Sequence, residues 1–117
     1  MNIEHPINVL VRRRAAIGDV IMSTGVVREI KRQYGNNCNL DVATECLEVY
    51  RNNPHVRNIF HTNGMPDAST YDVYINLDDA YELNPLNHYL DSYFYRAFGR
   101  TDLYQNPELF ASAEDQE

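Results

Sequence analysis

Residues 7–35 read INVLVRRRAAIGDVIMSTGVVREIKRQYG. The first seven, INVLVRR, are β-branched and apolar and predict a strand buried on both faces. The short loop RAAIGD (14–19) follows. From Val20 onward the apolar residues at 20, 21, 27, 30 and 34 are spaced for one face of a helix. Arg28, Lys31 and Arg32 lie toward its C-terminal end, where cations complement the helix dipole. Gly35 is a natural stop, and Asn36 and Asn37 extend the turn.

Outward from this unit the pattern repeats. NLDVATE (39–45) predicts a second strand, and CLEVYRNN (46–53) a short helix broken by Pro54. HVRNIFHT (55–62) fits a third strand, NGMPDAST (63–70) is turn chemistry, and YDVYINL (71–77) predicts a fourth strand. NPLNHYLDSYFYRAFG (84–99) reads as a helix, with Asn84 as cap, Pro85 in the first helical position and Gly99 as terminator. This order predicts an α/β fold, a Rossmann-like doubly wound layer with a mostly parallel sheet. In such a layer the fourth strand lies beside the first. The loops Ala15 to Asp19 and Asp78 to Glu82 would then flank one crevice at the carboxyl ends of the strands, where open α/β sheets bind ligands.

The chain of 117 residues and 13.6 kDa is the size of one domain, large enough for a core without disulfides. Apolar residues at 44% and charged residues at 23% exclude a disordered tail and a membrane span. Arg12, Arg13 and Arg14 interrupt any secretory leader. A net charge of −7 speaks against nucleic acid as a partner. The charge is uneven, however: residues 1–35 carry six basic and three acidic groups, whereas residues 66–117 carry two basic and eleven acidic ones. Cys38 and Cys46 read as reduced thiols, and with four scattered histidines they make no zinc pattern. The expected compartment is the cytoplasm.

The chemistry-bearing residues cluster at the two predicted loops. Gly18 lets a ligand approach the backbone, and Asp19 falls in the first helical turn at the mouth of the crevice, where it either complements the helix dipole or acts on a ligand. The loop has neither GxxxxGK[ST] nor GxGxxG, so it is not a standard nucleotide loop. Of the three arginines, at most two share a strand face, and each either ends the strand in solvent or, turned toward the crevice, suits phosphate or carboxylate. Asp78 and Asp79 end the fourth strand and read as an acidic turn more readily than as a cation site. His88, Asp91 and Tyr95 share a helix face and read as structural.

With these residues in view, the chain resembles the N-terminal half of a family 9 glycosyltransferase, the ADP-heptose:lipopolysaccharide heptosyltransferase group. The resemblance rests on VLVRRRAAIGDVIMSTGVVREIKRQYG, and Gly18-Asp19-Val20 is its most specific element. It continues through LDVATE, NNPHVRNIF, YDVYINLDDAYE and NPELFASAEDQE. Ala15 and Ala16 depart from it where small hydroxyl residues are frequent, and Gly25 where a helix proline is common.

The resemblance implies a GT-B architecture, in which two Rossmann-like domains face across a cleft without a required metal or cofactor. Residues 1–110 would be the acceptor-side domain and 111–117 the start of a linker or tail. Asp19 matches the general base, and Arg13 matches a basic residue that meets anionic substrate groups. Arg13, Ala16, Gly18 and Asp78 are the expected substrate contacts. An aspartate is a weak base, so burial or a neighbouring carboxylate must strengthen Asp19, with Asp78 as the candidate. The donor would be a nucleotide-sugar such as ADP-heptose, and the acceptor a glycan or lipid-linked sugar. The chain stops where the donor domain should begin, which implies a fragment or truncated homologue completed by that domain or by a partner chain. The alternative is a stand-alone, non-catalytic α/β binding or assembly module, with a homodimer among its forms.

Overall fold

The computed structural model describes residues 6–78 and 97–98. Strand β1 (Ile7–Arg12) leads into helix α1 (Ile17–Tyr34) and then strand β2 (Cys38–Ala43). Strands β3 (Asn58–Phe60) and β4 (Val73–Asn76) follow. Among the described residues the sheet has four strands in the order β3-β2-β1-β4, and every pairing is parallel. This is a Rossmann-like half-layer. The predicted adjacency of the first and fourth strands holds, with Val9 opposite Val73 and Arg12 opposite Asn76.

β1 is an interior strand between β2 and β4, and its middle residues are apolar on both faces. Val9, Leu10 and Val11 are all fully buried, as are Leu40 and Val42 on β2. α1 covers one face with Val20, Val26, Val27 and Ile30. Burying each such side chain contributes about 1.5–3 kcal/mol. Tyr34 stays exposed, since the helix ends at once in Gly35, whose φ of 60° suits glycine.

Polar groups on the buried helix face are individually satisfied. Ser23 bonds the Tyr50 hydroxyl, and burial pushes that hydroxyl's pKa up. Glu29 accepts from Arg32 at 2.8 and 2.6 Å and from Gln33 at 2.9 Å. The helical periodicity singled out neither Ser23 nor Glu29, because a period reads apolar positions only.

Two predicted elements shrink. The helix expected over 46–53 is a single 3₁₀ turn, Leu47–Tyr50, ended by Asn52 with φ at 64° before Pro54 is reached. The strand expected over 55–62 keeps only Asn58–Phe60. Its N-terminal flank is taken by Arg57, which grips Asp41 of β2 through Nε at 3.0 Å and Nη2 at 2.8 Å. Asp41 also accepts from the Asn58 amide and the Tyr71 hydroxyl, so one buried carboxylate ties β2, β3 and the approach to β4. Burial pushes Asp41 up, but the bonds from Arg57 and Tyr71 outweigh it and hold the carboxyl below its ordinary range. The helix predicted over 84–99, Asp79 and the 111–117 tail lie outside the described residues, apart from Ala97 and Phe98, which pack on the core.

Candidate functional site

The parallel ladder sets which residues meet at the carboxyl ends of the strands. It runs past the strand ends, with Leu77 N bonding Arg12 O at 2.7 Å and Arg13 N bonding Ala43 O at 3.1 Å. The segment 12–14 is therefore held from both sides. Glu45 N donates to Arg14 O at 2.9 Å, and the buried Thr44 hydroxyl donates to the same carbonyl.

The three arginines then divide by strand alternation. Arg12 Nε donates to Asp78 Oδ2 at 2.7 Å, and Arg14 N to Asp78 Oδ1 at 2.7 Å, so Asp78 clamps two alternate residues. The hydrogen bond to Asp78 raises the Arg12 pKa above its ordinary value. Arg14 reaches Glu45 at 3.5 Å in an exposed, weak pair. Arg13 is buried. Its Nη1 donates to Leu77 O at 3.0 Å and its Nη2 meets Asp19 Oδ2 at 3.0 Å, which joins the end of β4 to the first turn of α1.

Ala16 is the N-cap of α1, with φ −86° and ψ 179°, and its methyl supplies no cap. Asp19 follows in the first turn with its side chain 27% exposed, so a ligand can reach it. Ala16 and Gly18 are exposed, and a Cβ placed on Gly18 would meet nothing within 4 Å among its surroundings. The fold itself does not demand glycine there.

The structure thus gathers Arg13, Asp19 and the end of β4 at the carboxyl ends of the strands, with Ala16 and Gly18 exposed at the start of α1. Asp78 bonds Arg12 and the Arg14 amide, and the Arg13 guanidinium meets Asp19, for which the sequence points to Asp78 as the neighbour. Thr44 and Glu45 belong to the site's support and were not singled out. Their signal was the parallel register, which puts the residues after β2 beside those after β1. Among the described residues no group of three or more His, Cys, Asp and Glu side chains could hold a metal ion. Both cysteines are free, and burial raises their pKa values. No described helix is long and apolar enough to cross a membrane.

With that geometry in hand, one solved structure is informative: the glycosyl transferase family 9 protein from Veillonella parvula DSM 2008. It matches with a TM-score of 0.67 over 97% of this chain, at 14% identity. The chain has a glycosyltransferase family 9-like fold. It spans 48% of the length of that glycosyltransferase. No family model and no curated protein matches the sequence.

Proposed function

We propose that the chain is the acceptor-binding half of an inverting glycosyltransferase of the heptosyltransferase type, acting in lipopolysaccharide assembly in the cytoplasm. Residues 1–110 form the acceptor domain, and a donor-binding half, from a second domain or a partner chain, carries a nucleotide-sugar such as ADP-heptose. The single observation that carries this reading is the Arg13–Asp19 pair, set at the carboxyl end of β1 in a family 9-like fold.

In the proposed reaction Asp19 takes the proton of an acceptor hydroxyl while its oxygen attacks the anomeric carbon from the face opposite the nucleoside diphosphate. The bond to the diphosphate breaks and the centre inverts. Arg13 orients the carboxylate without strengthening it as a base, a task left to the donor-binding half as it closes over the site, and Ala16, Gly18 and Asp78 border the acceptor. A positioned base of this kind contributes about 10²–10⁴-fold. The test is sugar transfer from ADP-heptose to a lipopolysaccharide-core acceptor, with the donor-binding half supplied. Asp19→Asn is expected to lower kcat at least about 100-fold with acceptor KM changed less than about threefold. Near-normal turnover would refute the role of Asp19. A second reading, the non-catalytic assembly module, is favoured by the exposure of Ile17 and Leu47. It predicts a concentration-dependent homodimer on gel filtration and no acceptor binding.

A further inference from the structure

The C-terminal end of α1 holds a concavity of about 350 Å³, lined by Arg28, Lys31, Arg32, Gly35, Asn36 and His55. Along the helix it lies roughly 14–20 Å from Asp19, at 1.5 Å per residue. The described lining carries three permanent cations, Arg28, Lys31 and Arg32, the last paired with buried Glu29, within a chain whose net charge is −7. The helix dipole accounts for Lys31 and Arg32 in the last turn, but not for His55 arriving from the loop before β3.

Two of the cations are held in place with donors to spare. The Arg32 guanidinium binds the buried Glu29 through Nε and Nη2, which leaves Nη1. The Lys31 ammonium gives one bond to Cys38 O at 2.8 Å and has three donors. Side chains already fixed by their partners lose less freedom when a ligand binds. The volume lies at the small end of ligand pockets, which run to about 300–1,000 Å³. It suits a phosphorylated sugar or headgroup rather than a whole nucleotide-sugar.

We propose that this concavity binds a phosphate monoester, carried either by a soluble sugar phosphate or by a lipid headgroup. The site is separate from the crevice and does not depend on the transferase reading.

The test follows amide NMR shifts of the full chain on titration with glucose 6-phosphate, alongside co-sedimentation with phosphatidylcholine vesicles with and without phosphatidic acid. Shifts centred on residues 28–36 and 55 are expected, and added salt should weaken them. Arg28→Gln with Lys31→Gln should lower affinity at least about fivefold. Arg32 is left in place because it neutralises buried Glu29, and Arg28→Gln alone serves if the double variant unfolds. Vesicle binding that requires phosphatidic acid and is lost in the variant supports the same site with a lipid source. Shifts centred on residues 13–20, or an affinity unchanged in both variants, would overturn the proposal.

Discussion

The two ends of α1 carry opposite arrangements of charge. At the N-terminal end each arginine meets a carboxylate: Arg12 with Asp78, Arg13 with Asp19, Arg14 with Glu45. At the C-terminal end Arg28, Lys31, Arg32 and His55 converge on one concavity, and the carboxylate that holds Arg32 is buried beneath the helix surface. The first arrangement is balanced, and the sugar acceptor is proposed to bind there. The second gathers cations at one concavity, where the anion site is proposed. A count of basic residues over 1–35 merges the two, although they lie at opposite ends of an 18-residue helix.

The comparison depends on a rigid sheet between the two ends, and the largest expected effect tests that sheet. Asp41→Asn turns one acceptor of a four-donor carboxylate into a donor facing Arg57, and should destabilise by about 2–4 kcal/mol in urea unfolding. The acid limb follows from the same group. Because the folded Asp41 carboxyl is held low, its contribution is complete above the unfolded value near pH 3.9 and is lost as pH falls through the lower folded value. The variant should therefore show a shallower acid transition below about pH 4. An unchanged stability would mean that the Asp41 cluster does not brace the sheet.

Next in size is Arg13→Met. It strips Leu77 O and Asp19 of their buried partner and should cost about 2 kcal/mol. A loss well under 1 kcal/mol would show that the balanced end does not need its central arginine.

Much of this was legible in the chain. Successive β-branched runs gave the strands, Gly35 the helix stop, and the β-α-β order the adjacency of strands one and four. For the arginine run, composition leaves an anion site and a solvated strand end equally open, because one sequence cannot show that Glu45 and Asp78, 31 and 64 residues away from Arg14, close onto it. The third strand was overdrawn for a similar reason. HVRNIFHT has strand composition, yet Arg57 is taken by a carboxylate sixteen positions earlier. Long-range ion pairs leave no local period.

Smaller effects sharpen the contrast. Gly18→Ala meets open space in the first helical turn, so it should stabilise by about 0.5 kcal/mol. The added methyl should weaken acceptor binding in the crevice while leaving phosphate shifts at 28–36 unchanged. Equal weakening at both ends would merge the two regions.

The most direct measurement of the central claim is a competition between the two ends. The chain is titrated with a neutral core oligosaccharide while glucose 6-phosphate is held at saturation, and amide shifts are followed throughout. The account predicts that the oligosaccharide moves residues 13–20 and 76–78 with unchanged affinity, while the phosphate-induced shifts at 28–36 and 55 stay in place. Displacement of one ligand by the other, or oligosaccharide shifts at 28–36, would contradict it.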